Sequence, residues 1–189
     1  MAVKTFSSGE VLTASDTNTY LANSGLVYIT SGALSSTATN FVGCFSSTYD
    51  NYRIIISNFN PSVGADLYIR LLSGTTPTST GDWGWAYTGI SEMGVSTNSN
   101  ATSNSRGYTG ISNTFGTLAL GSASMDCYSP NLAQRTTFTS NAVSYSGAFG
   151  GRLGIVFYNN TPSYDGIRFL TDSAATMNGT VTIYGYRKA

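Results

Sequence analysis

The chain has 189 residues, a formal net charge of zero and no histidine; 41% of its residues are hydrophobic and only 10% are charged. That length predicts one compact domain with a small appendage. The lack of histidine excludes the usual general base, the commonest zinc ligand and every Ser–His or Cys–His nucleophile pair. Its nine cations form no basic run, so nucleic acid is not an expected partner.

Residues 1–12 read as extended, with Phe6, Val11 and Leu12 as apolar anchors around the turn Ser7-Ser8-Gly9. No apolar h-region follows Lys4, so we expect no secretion signal and synthesis in a cytoplasm. Thr13 or Ser15 suits an N-cap, with Asp16 in the first turn, and the spacing predicts a two-turn helix over 16–22. Asn23-Ser24-Gly25 ends it. So short a helix does not hold itself together in water. Leu12, Tyr20 and Leu21 are therefore expected to be buried against something else, either the following domain or a neighbouring chain, and with Phe6 and Val11 they are the candidate docking residues of segment 1–25.

From Leu26 the period is two, and residues 26–189 are expected to form one β-domain. LVYIT (26–30) and NFVGCF (40–45) read as strands. NYRIIISNF (51–59) and DLYIRLL (66–72) flank the turn NPSVGA and read as an antiparallel hairpin. GTTPTSTGD (74–82) is a loop by composition, and GWAYTGI (84–90) resumes strand. STNSNATSNS (96–105) has no apolar side chain beyond one alanine and reads as an exposed, mobile loop. RGYTGI, TLALGSASM, RTTFTSNAVSY, RLGIVFYN, GIRFL and GTVTIYGYR follow at intervals that suit short strands. About nine to eleven strands with glycine- and asparagine-rich turns predict an all-β, antiparallel, jelly-roll-like β-sandwich. No run approaches the ~18 apolar residues of a membrane-spanning helix, so membrane insertion is not expected.

Chemistry is sparse. Cys44 and Cys127 read as buried free thiols. The nine carboxylates are scattered, most beside turns that Asx geometry explains. No calcium-loop spacing occurs, and we expect no metal, cofactor or catalytic centre. GDWGWAYTG (81–89) is the aromatic-dense stretch. On a strand, Trp83, Trp85 and Tyr87 share one face. They read either as a platform for a glycan or protein interface, or as sandwich core.

Three blocks carry a resemblance. KTFSSGEVLTASDTNTYLAN (4–23), FSSTYDNYRIIISNFNPSVGADLYIRLLSG (45–74) and GTVTIYGYRK (179–188) are similar to segments of tail-fibre and related virion appendage proteins of marine tailed phages, particularly those infecting cyanobacteria. The resemblance implies a non-enzymatic virion protein, made in the host cytoplasm, that docks by its N-terminal segment to other tail or capsid proteins. It implies a homotrimer, since phage fibres are commonly three-fold. A capsid decoration or head-fibre protein is the alternative. A further one is a receptor-recognition domain that binds host surface polysaccharide through Trp83, Trp85 and Tyr87.

Overall fold

A computed structural model describes residues 7–11, 13, 25–78, 81–94, 96–112, 121–145 and 148–188. The expected helix at 16–22, and Phe6, Leu12, Tyr20 and Leu21 with it, lie outside these residues. Val11 is described and is exposed.

Alternation of apolar and polar residues decides the architecture. β3 (Asn51–Phe59) buries Tyr52, Ile54, Ile56 and Phe59 completely. In β10 (Thr136–Tyr145) every second side chain from Thr136 to Ser144 points inward, Phe138 and Ala142 among them. β9 (Gly121–Tyr128) contributes Ala123, Met125 and Cys127, and β13 (Thr180–Tyr186) contributes Val181 and Ile183. With β1 (Leu26–Ala33), β6 (Trp83–Ser91), β7 (Ser96–Asn104) and β11 (Phe149–Tyr158) they form an eight-stranded sheet in the order β1-β13-β3-β9-β10-β11-β6-β7.

A second sheet of five strands covers its inner face. Its path is β2 (Ala38–Phe41), β12 (Gly166–Thr171), β4 (Leu67–Ser73) and β5 (Thr76–Pro77), with β8 (Gly107–Tyr108) also paired to β4. Leu67, Ile69 and Leu71 of β4 meet Ile167 and Phe169 of β12 and the inward side chains of the large sheet in one apolar core. Every pairing is antiparallel. The expected β-sandwich is present, and so is the feature on which the jelly-roll reading turned: the first strand, β1, pairs with the last, β13.

Three local expectations are corrected. The segments 51–59 and 66–72 do not form a hairpin: β3 lies in the large sheet and β4 in the small one. The connection crosses the core edge and bonds to a distant segment instead, Asn60 N to Asn178 O at 3.0 Å and Ser62 N to Thr176 O at 2.8 Å. Alternation states which side chains are buried, and Ile54 and Ile69 satisfy it equally well across a core as side by side. The polar tract 96–105 is also not a loop. Residues 96–104 form β7, paired along β6 from Ser96↔Ile90 to Asn104↔Trp83. An edge strand needs only one ladder of backbone bonds, and Ser, Thr and Asn side chains make its free edge uninviting to other strands. Finally, 40–45 is not one strand. β2 ends at Phe41, and Gly43 turns the chain at φ 67°.

Candidate functional site

β6 carries the aromatic row, and its register against β11 sets where the rings go. Trp83 pairs with Tyr158, Trp85 with Val156 and Tyr87 with Gly154. All three rings point inward. Trp83 is completely buried, its ring 4.9 Å from Tyr158 and 6.2 Å from Phe138. Tyr87 is buried too, and its hydroxyl donates to the Tyr108 carbonyl. Of the two readings of this row, sandwich core holds for Trp83 and Tyr87. Trp83 and Tyr87 are core residues, because the period of two that aligns them also aims them at the small sheet. Trp85 alone of the three stays partly exposed.

Trp85 opens into a cleft of about 200 Å³ where β8 and β4 of the small sheet meet β6, β7 and β11 of the large one. Its rim holds Asp66, Tyr68, Ser99, Tyr108, Ser112 and Arg152 beside Trp85 and Tyr87. The rings are mutually packed: Tyr108 lies 5.3 Å from Trp85, 5.1 Å from Tyr87 and 5.3 Å from Tyr68. Arg152 donates to the Tyr108 hydroxyl and to the Gly110 carbonyl at 3.2 Å. Burial, helped by the Asp66 charge, pushes the Tyr68 phenol up to about 12. Burial also raises Tyr108, with Asp66 again the next cause. These phenols keep their protons, so the cleft offers hydroxyls, ring faces, one carboxylate and one guanidinium. That set can stack on an apolar ring face and hydrogen-bond at its edge. Tyr68, Tyr108 and Arg152 escaped the sequence reading, because they lie 17 or more residues from Trp85 and only strand pairing assembles them.

A second feature lies on the opposite, outer face of the large sheet. β11 sends Phe149, Leu153, Ile155 and Phe157 outward. Leu153 is 58% exposed and Ile155 54%. Their cross-strand neighbours are Thr88 and Ala86 on β6, and Asn141 and Thr139 on β10. No charged side chain stands among them. Ile90 and Val143 extend the patch beside Gly151. Grooves of about 480 Å³ and 370 Å³ run along its β7 and β10 sides, with Arg135 at one end of the second. An apolar ridge between two grooves is a shape that excludes water only when another surface covers it.

Neither feature is lined by a cysteine. Cys44 and Cys127 are buried free thiols. Burial pushes Cys44 up to about 12 and raises Cys127 well above the usual thiol range. Among the described residues, no group of three or more Cys, Asp or Glu side chains could hold a metal ion, and no helix is long and apolar enough to cross a membrane.

The fold and cleft together define an all-β antiparallel sandwich with an aromatic recess at one edge and an apolar ridge on one outer face. No protein-family model matches the chain, and no curated protein matches its sequence. Among solved structures, the fructofuranosidase of Schwanniomyces occidentalis complexed with fructose is 8% identical over 87% of this chain, with a TM-score of 0.27. This chain spans 35% of that enzyme's length. The laminarinase from Rhodothermus marinus is 10% identical over 80% of this chain and 71% of its own, with a TM-score of 0.16. Likenesses this slight carry no argument.

Proposed function

We propose that this chain is a non-enzymatic structural protein of a tailed-phage particle, a tail fibre or fibre-like appendage. It docks through residues 1–25 and displays its β-sandwich, which packs in a homotrimer. The observation that carries the reading is the ridge of Phe149, Leu153, Ile155 and Phe157, apolar and without charge across three strands. Large exposed apolar patches mark surfaces that function while covered. Chemical inertness supports the same reading: both thiols are held protonated by burial, and the sequence has no histidine. The resemblance of 4–23 to virion appendage segments supports the docking role.

The test separates the two surfaces. Leu153→Lys with Ile155→Lys changes only outward side chains, so the chain should fold, no longer trimerise and fail to enter particles. Deleting residues 2–24 should leave a folded sandwich that self-associates but does not join the particle. Normal incorporation of the truncated chain removes the docking role, and a trimer that survives both lysines removes the ridge.

The cleft favours a second, compatible reading, host polysaccharide recognition. Trp85 and Tyr68 offer partly exposed rings beside Asp66, Ser99 and Arg152. Trp85→Ala should then abolish adsorption to host cells and leave assembly intact; adsorption at the normal rate removes this reading.

A further inference from the structure

Two arginines on neighbouring strands of the small sheet face each other with no acid between them. Arg168 of β12 stands opposite Arg70 of β4, and on its other side opposite Asn40 of β2. Directly opposed residues of an antiparallel pair share a face, with Cβ atoms about 4.5–5.5 Å apart. Asn40, Arg168 and Arg70 therefore form a row across three strands on the outer face of that sheet. Beyond β4 the row continues into Ser105, whose hydroxyl accepts from Arg70 Nη2 at 3.3 Å. Arg106 follows, its guanidinium 4.2 Å from the centre of the Tyr68 ring. Tyr68 precedes Arg70 by two positions and so lies on the same face.

This arrangement is costly as it stands. Like charges placed directly opposite destabilise a sheet. Burial, then the charges of Arg106 and Arg168, pull the Arg70 guanidinium below its usual range. Nε of Arg70 and Nε of Arg168 are both buried without a hydrogen-bond partner. An unmade bond of that kind costs roughly 1–3 kcal/mol, and more for a charged group. Among the described residues, no carboxylate within 4 Å pairs with any of the three arginines; the ion pairs formed elsewhere are Arg53–Asp126 and Lys188–Asp50. Asp66 and Asp172 are the acids whose charges reach Tyr68, and Asp172 Oδ1 already accepts the Asp66 N–H at 3.0 Å. A chain with only nine cations has gathered three of them here.

We propose that the outer face of the small sheet is an oxyanion site, in which Arg70, Arg168 and Arg106 hold a sulfate, phosphate or carboxylate group with Asn40 and Ser105 as further donors. A guanidinium presents its donors in a planar fork that matches such groups two bonds at a time. The bound anion removes the repulsion between opposed cations and gives their forks a partner. The row crosses strands spaced about 4.8 Å apart, so it accommodates one free ion or a line of acidic groups on a polysaccharide. Three cations are too few for duplex nucleic acid, which needs a longer basic track. The site lies on a different face from the apolar ridge and does not depend on the assembly role.

The experiment is thermal unfolding of the full chain in sodium sulfate and in sodium chloride at equal ionic strength, for wild type, Arg70→Gln and Arg168→Gln. Both variants should melt higher than wild type in chloride, because one like charge is gone. Wild type should gain several degrees more from sulfate than either variant. Sulfate also stabilises proteins generally by exclusion from their surfaces, so an equal gain in all three overturns the site. Should a variant not fold, amide shifts of the wild-type protein replace it: sulfate must move Arg70, Ser105 and Arg168, and a titration that leaves them still overturns the proposal. Dextran sulfate and neutral dextran then distinguish the sources. Dextran sulfate binding at least tenfold tighter than inorganic sulfate assigns a polysaccharide; equal binding per sulfate assigns the free ion. Binding of neutral dextran equal to that of dextran sulfate contradicts an anion site.

Discussion

Arg53 on β3 grips Asp126 on β9 through two parallel bonds, Nε to Oδ1 and Nη2 to Oδ2, each 2.9 Å long. The strands are neighbours and the two residues are in register, so the fork closes across the pair. Tyr186 of β13 donates its hydroxyl to the same Oδ1 at 2.6 Å. Three strands of the large sheet are thus tied on their outer face by one carboxylate.

That carboxylate predicts a pH dependence. The Arg53 hydrogen bond comes first, then the Tyr186 bond and the Arg53 charge; against burial, they hold the Asp126 carboxyl below its usual value. A depressed folded pKa means stability that is present above the unfolded pKa of about 3.9 and lost as pH falls through the lower folded value. Asp126→Asn should therefore cost about 1 kcal/mol at pH 7, a modest figure because Arg53 is 37% exposed. The difference from wild type should vanish towards pH 2. Urea unfolding at a series of pH values measures it, and a gap that persists undiminished in acid contradicts the assignment.

The two tryptophans should part company. Trp83 is completely enclosed against Phe138 and Tyr158. Trp83→Ala should cost about 3–5 kcal/mol, the range for emptying an aromatic site in a core. Trp85 is only partly buried, at the cleft. Its alanine variant should stay folded with a smaller loss. Equal losses in denaturant unfolding would mean that the cleft is as closed as the core.

Gly154 is held by close packing. A Cβ there would run into the Tyr87 ring and come within 2.7 Å of the Ala86 carbonyl. Tyr87 is itself anchored through its hydroxyl to the Tyr108 carbonyl, so the ring has nowhere to retreat. Gly154→Ala should destabilise by about 1–3 kcal/mol, as overpacking does. Gly151→Ala on the same strand meets nothing within 4 Å and serves as the control. A melting temperature for Gly154→Ala as high as that of Gly151→Ala contradicts the packing argument.

The thiols should be silent in the folded protein. Cys44 donates to the Phe41 carbonyl at 3.3 Å inside the core, and Cys127 is completely buried. A thiol-reactive dye at pH 8 should count none in the native state and two in urea. Fast labelling without urea would mean that one of them is reached by solvent.

Much of the fold was legible in the chain. Tyr52, Ile54 and Ile56 alternate with Arg53 and Ile55, and the strand they predict is β3 to the residue. The segment 135–145, read as a short strand, contains β10. The polar tract at 96–105 misled because it buries nothing, while its pairing is a backbone property that side chains do not advertise. The candidate site was legible at one residue. Trp85 stood out by composition, whereas Tyr68, Tyr108 and Arg152 carry no local signal.

The chain by itself determined the class of fold, since period-two burial and scarce helix formers leave β-layers as the way to bury these side chains. It also excluded histidine chemistry, by lacking that residue. Which strands became neighbours was decided only in three dimensions. Ile54 and Ile69 ended up in opposite sheets, Arg70 came to face Arg168, and the ridge on β11 was left uncovered. Pairing between strands distant in sequence rests on backbone groups that every residue shares, so only the closing of the whole core selects among the registers.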